Sequence, residues 1–408
     1  MSERLRLLFL TPQLPYPPRQ GTALRNWGLI SGLARRHEVW LLSFAEPGEA
    51  VHPLLRETCA RVATLPVPAR RMTDRLKTLA FSTLPDMAWR LWAPAFLEQI
   101  QAWLGEARFD AVQVEGIELA RYGLALRDRL AETGTRLVFD DHNCEYLLQQ
   151  RASETDRRNP RRWHAAAYSW VQTRRLRAFE ARIARAADLT LVVSPQDGDS
   201  LRALDRALAP LVIANGIDTA AYDGHPIPPG GSDLVFTGKM DFRPNIDAML
   251  WFAAEVWPAV RAACPEARWW IVGQKPSPRL DGLRADPRIT ITGAVDDIRE
   301  AIARAAVYLA PLRVGGGTRF KLLEAMAMRR AIVSTRLGAE GFDVQDGGEM
   351  RLADRAPDFA QAVIDLLADP AARSGLGERG HAFVRAQYDW SVIVPALEAA
   401  LQARSPAR

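Results

Sequence analysis

Three glycines, an arginine and a lysine stand directly ahead of a helical pattern in "GGGTRFKLLEAMA", which runs from Gly315 to Ala327. At a strand-to-helix turn, residues without side chains let an anion approach the backbone amides, and the positive end of the helix dipole favours phosphate. Lys321 and Glu324 are three residues apart and would share one helix face, so the lysine could meet a phosphate and the acid a ribose hydroxyl. A tight turn with an intrahelical ion pair explains the spacing equally well. The residues predicted to face phosphate are Gly315, Gly316, Gly317 and Arg319.

A second basic loop, "TGKMDFRPNID", follows another apolar run and carries Lys239 and Arg243. If that run is a neighbouring parallel strand, both side chains would project toward the same edge as Lys321. Three converging cations could balance the charge that develops on a departing diphosphate. Either residue alone is more simply explained as solvated surface charge, and Lys239 is the stronger candidate.

The stretch "FDDHNCEY" places His142 at the end of a first-half strand, where it could bind a sugar hydroxyl or act as an acid or base. For the neighbouring acids, a capping role and a functional role both stay open. A further anion-approach loop, "TPQLPYPPRQGTALRN", contains Gly21 and Thr22, although its prolines could simply stiffen an acceptor-side loop. The acids of "DGD", which begins at Asp197, are interpreted as helix caps rather than metal ligands. We therefore predict no metal site.

Short apolar runs alternate with helical patterns along the chain, beginning with "RLLFLT" and "EVWLLSF" and resuming with "DLVFTG", "RWWIVG" and "VYLAPL". This alternation indicates parallel sheets covered on both faces, whose ligands bind beyond the carboxyl ends of the strands. The stretch "NGIDTAAYDGHPIPPGGSD" has no hydrophobic period and indicates a linker. We predict an α/β chain of two doubly wound, Rossmann-like domains that face a cleft. The predicted parts are 1–210, a linker at 211–232, a second domain at 233–385, and a returning helix with a tail at 386–408. Within the C-terminal helical stretch, breaks are expected at "ADP" and "SGLGERG".

Composition bounds the class of protein. A hydrophobic content of 48% with 25% charged residues describes a folded globular chain of 408 residues. The net charge of +5 and pI near 9.3 suit nucleic acid, an anionic membrane surface or phosphorylated substrates without choosing among them. Three widely spaced cysteines favour a reducing cytoplasm over a disulfide framework. The N-terminal apolar run is too short for a signal peptide, and no run approaches the roughly 18–20 apolar residues of a membrane-spanning helix.

Taken together, these segments resemble the GT-B glycosyltransferases of family 4, the group 1 retaining transferases. The resemblance rests on the order of "FTGKMDFRPNIDAMLWF", "ARWWIVGQKP", "ITITGAVDDI", "VYLAPLRVGGGTRFKLLEAMAM" and "AIVST", with "HNCE" and "NGID" earlier in the chain. More narrowly, the chain looks like sugar transferases associated with PEP-CTERM and exopolysaccharide loci. The combination is specific, whereas no single segment is.

The resemblance implies transfer of a sugar, with retention, from a nucleotide-sugar bound by the C-terminal domain to a glycan or lipid-linked acceptor bound mainly by the N-terminal domain. It implies that Glu324 contacts the donor ribose as the second acid of an E-x7-E motif and that His142 lies near the donor sugar. The nucleobase would rest against Gly293 and Val295. The resemblance also implies that Lys239 and Arg243 form the basic pair facing the diphosphate and that Gly317, Thr318 and Arg319 form the phosphate-facing loop. No cofactor or metal is implied beyond the nucleotide-sugar itself.

Two departures from the family pattern stand out. The first acid of E-x7-E would fall at Gly316, so the usual carboxylate contact to the sugar is missing. Arg329 and Ala331 occupy positions where glycine and proline are common, which we interpret as structural drift.

Two other classes stay open. A GT-B nucleotide-sugar epimerase shares the scaffold but should show more acid–base residues than His142. A basic scaffold or nucleic-acid-binding protein would use the arginine-rich segment 157–186, which is more simply a solvated helix face. We expect no nucleic-acid partner. We expect a cytoplasmic protein and leave open a peripheral contact with the anionic inner face of the cytoplasmic membrane.

Overall fold

A computed structural model describes residues 4–18, 21–157, 163–223, 231–314 and 319–403. The chain divides into two compact units, Met1–Ala214 with Ile393–Arg408 and Asn215–Val392. Each unit is built around one parallel sheet, as the alternating pattern predicts. Within the described residues, no helix is both long enough and apolar enough to cross a membrane.

The first unit contains, over its described residues, a seven-stranded sheet in the order β3-β2-β1-β4-β5-β6-β7, with every neighbouring pair parallel. Its strands are β1 (Arg6–Thr11), β2 (Glu38–Ala45), β3 (Arg61–Pro66), β4 (Ala111–Glu115), β5 (Arg136–Asp141), β6 (Leu189–Val192) and β7 (Leu211–Val212). Its helices are α1 (Gly21–Ala34), α2 (Pro53–Thr58), α3 (Met72–Phe81), α4 (Met87–Arg90), α5 (Pro94–Glu106), α6 (Ala120–Thr133), α7 (Glu145–Arg157), α8 (Trp163–Ala186) and α9 (Pro195–Leu204).

The central strands of this sheet are buried on both faces, because helices cover both sides. In β4 all five residues are buried, and in β1 every residue after the first is buried. Trp103 of α5 and Phe109 pack against this core. Each large apolar side chain buried in this way contributes about 1.5–3 kcal/mol.

The second unit contains, over its described residues, a six-stranded parallel sheet in the order β10-β9-β8-β11-β12-β13. Its strands are β8 (Asp233–Thr237), β9 (Arg268–Val272), β10 (Ile289–Ile291), β11 (Val307–Ala310), β12 (Ala331–Ser334) and β13 (Arg351–Leu352). Its helices are α10 (Arg243–Trp251), α11 (Trp257–Ala263), α12 (Ile298–Ala303), α13 (Phe320–Ala327), α14 (Ala356–Ala368) and α15 (Pro370–Gln387). A π-helical turn, Phe252–Val256, joins α10 to α11, and 3₁₀ turns span Thr219–Tyr222 and Pro278–Ala285.

The last helix, α16 (Trp390–Gln402), starts in the second unit and continues into the first from Ile393 onward. In the first unit, Glu398 of this helix lies 3.3 Å from the buried His37 and 3.1 Å from Arg36. Arg136 donates to the carbonyls of Ala400 and Leu401, both at 3.0 Å, near the end of the same helix. These contacts fix α16 on the first sheet.

One expected break in the C-terminal helices is wrong. The chain does break at Asp369, which caps α15 by accepting from the next two backbone amides, each at 2.9 Å. The "SGLGERG" stretch, however, lies inside α15. A side chain at Gly377 would lie 2.2 Å from the Arg329 carbonyl oxygen, so this glycine allows close helix packing rather than a break.

Candidate functional site

The second unit brings Lys321 and Glu324 onto the same side of α13, at the point where its strand order reverses. The first strand of the unit, β8, lies between β9 and β11, so the loops after β8 and β11 lie next to each other. The loop after β8 carries Lys239, and α13 follows β11. In open parallel sheets this switch point is where ligands bind.

Lys321 is a partly buried lysine with few compensating charges. Its Nζ donates to Asn245 Oδ1 at 3.1 Å and lies 4.1 Å from the centroid of the Phe236 ring. Burial and the nearby Arg319 lower the pKa of Lys321 to about 7, against the opposing influence of Glu324. Because its hydrogen-bond partner is neutral, the ammonium form of this lysine would be stabilised by an anion that binds next to it.

Two glycines allow backbone segments to pack closely around the Lys321 amino group. A Cβ at Gly238, the residue after β8, would lie 2.8 Å from Lys321 Nζ and 2.8 Å from Asn245 Nδ2. A Cβ at Gly273, after β9, would lie 1.7 Å from the Gly238 carbonyl oxygen. Asn245 Nδ2 also donates to the Lys239 carbonyl at 2.9 Å, which ties this loop to α10. Two glycines therefore let three loops converge on one cation.

Glu324 accepts a hydrogen bond from the hydroxyl of Tyr222, with 3.2 Å between the oxygens. Burial raises the pKa of Glu324 to about 7, although the Tyr222 hydrogen bond and Lys321 both oppose the rise. The carboxyl group and the Lys321 amino group thus both change charge near neutral pH.

The other donor-side candidates take different positions. Lys239 is exposed and lies 3.8 Å from Asp241, and Arg243 is the exposed first residue of α10. Gly293 follows β10 with a φ of +79°, and its carbonyl accepts from the amide of Gly273 at 3.1 Å, so it lies at the same sheet edge. Val295 is 39% exposed. The predicted phosphate-facing residues Gly315, Gly316, Gly317 and Thr318 lie outside the described residues.

The first unit brings His142 to the equivalent edge of its own sheet. His142 follows β5, and its Nε2 lies 2.7 Å from Oε2 of Glu115, the last residue of β4. Gln113 Nε2 donates to the other Glu115 oxygen at 2.7 Å. The strand order reverses between β1 and β4, so this cluster also lies at a switch point.

Helix α1 completes the cluster. Arg25 forms a bidentate ion pair with Asp140, in which Nε donates to Oδ2 at 2.9 Å and Nη2 donates to Oδ1 at 2.8 Å. Both side chains are buried. The Asn26 amide, oriented with its nitrogen inward, donates to Glu115 Oε2 at 2.8 Å and to the Thr22 carbonyl at 3.2 Å. Gly21 and Thr22, the candidate anion loop, are the first two residues of α1. The structure therefore links Thr22 to the histidine cluster through Asn26.

Electrostatics in this cluster favour a charged histidine. Burial lowers the pKa of His142, but the Glu115 hydrogen bond and the charges of Asp140 and Glu115 outweigh it, so the pKa is raised. Burial and Asp140 raise the pKa of Glu115. Because a carboxylate accepts at Nε2, the imidazole keeps a proton there and Nδ1 is its second functional atom. Nδ1 lies over Gly116, where an added Cβ would be 3.7 Å away and where φ is +81°.

Among the described residues, one cluster has the proximity of a metal site, namely the acceptor atoms of Glu115, Asp140 and His142, within 4.8 Å of one another. The Glu115 oxygens, however, already accept from Gln113, Asn26 and the histidine, and the Arg25 guanidinium lies across both Asp140 oxygens. This donor set fits a hydrogen-bonded cluster better than a divalent cation. The absence of a metal requirement stays a prediction.

The "DGD" acids act locally. Ser194 caps α9 by accepting from the Asp197 amide at 3.2 Å, while the Asp197 carboxylate lies 2.5 Å from the Ser194 hydroxyl. Asp199 pairs with Arg202 at 2.7 Å, one turn along the helix. The cap of α9 is therefore Ser194 rather than either acid, and both acids make local contacts in the first turns of the helix.

Sequence reasoning missed Glu115, Arg25, Asn245 and Tyr222. Glu115 ends the apolar run "AVQVE", and a buried acid at a strand's carboxyl end is a usable signal. Arg25 and Asn245 lie in the first turns of helices that follow sheet strands. Tyr222 lies in a stretch that reads as linker, and nothing in its sequence context singles it out.

Two family descriptions match most of the chain. Residues 20–221 match Glycosyltransferase Family 4, and residues 231–369 match Glycosyl transferases group 1. A phosphatidyl-myo-inositol mannosyltransferase of Mycolicibacterium smegmatis is 33% identical over 191 residues, 44% of this chain and 48% of the relative. Another from Mycobacterium tuberculosis is 31% identical over 197 residues, 44% of this chain and 50% of the relative. The chain thus spans about half the length of these curated relatives.

Solved structures agree with the fold over nearly the full chain. Anabaena HepE in complex with UDP and glucose has a TM-score of 0.67 at 14% identity, covering 98% of this chain and 99% of that chain. The catalytic domain of starch synthase IV from Arabidopsis thaliana, bound to ADP and acarbose, has a TM-score of 0.66 at 11% identity, covering 98% of this chain and 100% of that chain. At these identities the likeness concerns the GT-B fold, whose two Rossmann-like domains correspond to the two parallel sheets. With both family descriptions matched in order, the chain belongs to the group 1 glycosyltransferases of family 4.

Proposed function

We propose that this protein transfers a sugar, with retention, from a nucleotide-sugar to a glycan or lipid-linked acceptor in exopolysaccharide or cell-surface polysaccharide synthesis. The second unit would bind the donor, and the first unit would bind most of the acceptor. Family membership and the relatives' names support transfer as the reaction class.

The observation that carries the proposal is the Lys321–Glu324 pair on α13 at the switch point of the second sheet. A diphosphate beside Lys321 would supply the negative charge that its neutral partner Asn245 does not, next to an amino group whose pKa burial lowers to about 7. Glu324 offers carboxylate oxygens to a ribose diol. Lys239, Arg243 and Arg319 would add positive charge around the diphosphate.

In the proposed reaction, the bond from the anomeric carbon to the diphosphate oxygen breaks, and its electron pair stays on the diphosphate. The acceptor oxygen bonds to the anomeric carbon from the same face, and its proton passes to the departing phosphate oxygen. Lys321 stabilises the charge that builds on the leaving group. We propose that His142 hydrogen-bonds a sugar hydroxyl through Nδ1 while Glu115 holds Nε2.

The buried position of Glu115 bears on the epimerase alternative. Its side chain is fully shielded from solvent, so it supports His142 rather than adding a second acid–base group that meets substrate. An epimerase would convert a nucleotide-sugar into its epimer without an acceptor, so an epimerised sugar among the products of the screen below would favour this alternative.

Helix α8 bears on the nucleic-acid alternative. It buries Leu176, Phe179 and Ile183 in the core of the first unit. Its arginines therefore belong to a helix that packs on the core through its apolar residues, and a nucleic-acid-binding groove is not needed to explain why they are there.

We further propose that α3 is the site of contact with an anionic membrane surface. This helix has no buried residue, and Met72, Leu76 and Phe81 are 66%, 58% and 90% exposed. Arg71, which precedes the helix, and Lys77 within it are also exposed, which suits a lipid surface that carries negative charge. Flotation with vesicles containing anionic phospholipid should be lost in Leu76→Glu and kept in Val392→Glu, a change at an exposed apolar residue elsewhere. Equal flotation of both variants would contradict this contact.

The experiment for the catalytic proposal is a binding and hydrolysis screen with UDP-, GDP- and ADP-sugars, with Lys321→Ala and Glu324→Gln as matched variants. We expect one nucleotide series to bind and to be hydrolysed slowly, and both variants to bind at least tenfold more weakly. Binding by neither the protein nor its variants, or equal binding by all three, would remove the basis of the proposal.

A further inference from the structure

Tyr222 ends the short 3₁₀ turn Thr219–Tyr222, which precedes the second sheet along the chain. Its hydroxyl donates to Glu324 Oε1 across 3.2 Å. Within the described part of the chain, no other side chain donates a hydrogen bond to this carboxylate. A residue from an apparent linker therefore takes one of the two oxygens on the acid that would meet the ribose.

The turn is held in place by contacts on both sides of the tyrosine. Arg299 Nη1 donates to the Ala221 carbonyl at 2.9 Å, just before Tyr222. Arg329 Nη1 donates to Asp223 Oδ1 at 2.9 Å, just after it.

Arg329 makes that second contact from a strained backbone. Its φ is +55°, a conformation that costs a non-glycine residue about 1 kcal/mol or more. The position where glycine is common thus carries an arginine whose guanidinium also lies 3.0 Å from His381 and 3.3 Å from Glu378. The anchor for the tyrosine turn gives this substitution a structural reason beyond drift.

The opposite end of the turn is anchored as well. Asp389 accepts from the backbone amide of Thr219 at 3.0 Å and from its hydroxyl at 2.6 Å. Three separate elements thus fix the turn, and the tyrosine hydroxyl reaches the acid from a rigid support.

We infer that Tyr222 is a positioning residue for the nucleoside of the donor: its hydroxyl holds one oxygen of the Glu324 carboxylate, so that the other oxygen accepts from a vicinal ribose diol. This inference rests on the proposed function. A carboxylate that is fixed at one oxygen presents the other in one direction, which suits two adjacent hydroxyls better than one. A neutral carboxyl group would accept more weakly, and its own proton would need an acceptor.

Several titratable or charged side chains lie near Glu324. Lys321 on α13 lowers the pKa of Glu324, whereas Asp297 at the start of α12 raises it. Burial and the charge of Glu324 raise the pKa of Tyr308 on β11, and the charge of Arg299 opposes the rise in the pKa of Tyr222 that burial causes. Of these groups, Tyr222 is the one that hydrogen-bonds the carboxylate, so removing its hydroxyl should raise the pKa of Glu324 further.

The test is calorimetric titration of the full chain with UDP, GDP and ADP from pH 5.5 to 8.5, comparing the wild type with Tyr222→Phe. If the pKa of Glu324 rises by about one unit, affinity should fall about fivefold at pH 7 and about tenfold at pH 6. The two proteins should converge at pH 8.5, where Glu324 is ionised in both. With the corresponding 2′-deoxynucleotide, the difference between the proteins should shrink to less than about twofold.

Tyr388→Phe serves as the matched control, since Tyr388 is a buried tyrosine of the same unit; it should bind like the wild type at every pH. Identical binding by wild type and Tyr222→Phe across the range would overturn the inference and leave the proposed function standing. A loss that is the same at every pH, and the same for the deoxynucleotide, would assign Tyr222 a purely structural role and also overturn it. If the wild type binds no nucleotide at all, the proposed function and the inference both fail.

Discussion

Nucleotide binding should move protons, and the direction should reverse near pH 7. The pKa of Lys321 is lowered to about 7 and that of Glu324 is raised to about 7. A diphosphate favours the charged lysine, so binding above pH 7 should take up a proton. Hydroxyls that donate to Glu324 favour the charged carboxylate, so binding below pH 7 should release one.

The magnitudes follow from the two pKa values. At pH 8 each group is about one-tenth protonated before binding, so the lysine gains about 0.9 proton, the acid loses about 0.1, and the net uptake is about 0.8. At pH 6 the same arithmetic gives a net release of about 0.8, and at pH 7 the two contributions cancel. A nucleotide-sugar is the right ligand because its diphosphate, esterified at both ends, does not itself titrate in this range.

The assay is calorimetry in buffers of different ionisation enthalpy, since the slope of the observed heat against that enthalpy gives the number of protons exchanged. Lys321→Met should abolish the uptake at pH 8, and Glu324→Gln should abolish the release at pH 6, while the remaining group still exchanges its proton in the predicted direction. Binding without proton exchange at both pH 6 and pH 8 would refute the reasoning. So would a proton exchange that both variants retain.

Three further predictions follow, two from the first unit and one from the second. Glu115→Gln should lower the pKa of His142, measured by NMR titration of the histidine ring; an unchanged value would mean that the 2.7 Å contact does not hold the charge. Arg25→Ala leaves the buried Asp140 carboxylate without its guanidinium and should lower the free energy of unfolding by about 3–5 kcal/mol in denaturant titrations, whereas a loss below about 1 kcal/mol would contradict the buried pair. Gly273→Ala places a methyl group 1.7 Å from a backbone oxygen and should destabilise the protein by about 1–3 kcal/mol, and a neutral effect in the same assay would contradict the close approach of the loops.

Much of the fold could be predicted because apolar periodicity is a local property. Runs such as "RLLFLT" and "RWWIVG" became β1 and β9, and parallel pairing followed from their near-continuous apolar character. The start of α13 was also predictable, since Phe320 begins an apolar helical pattern. The three-residue spacing was enough to place Lys321 and Glu324 on one helix face.

The rest depended on distances that sequence does not encode. Gly377 looked like a helix break, yet its lack of a side chain serves an approach to a carbonyl on another element. Glu115 looked like one more residue of an apolar strand, and its role appears only when the end of β5 brings His142 beside it. Tyr222 sits in a stretch without hydrophobic period, and only tertiary contacts aim it at Glu324.

The most direct test of the account is a crystal structure of the protein with a nucleotide-sugar that it binds. We predict that the ribose lies within hydrogen-bonding distance of Glu324 and the diphosphate within reach of Lys321, at the edge where β8 and β11 end. A well-ordered nucleotide that contacts neither side chain would contradict the account.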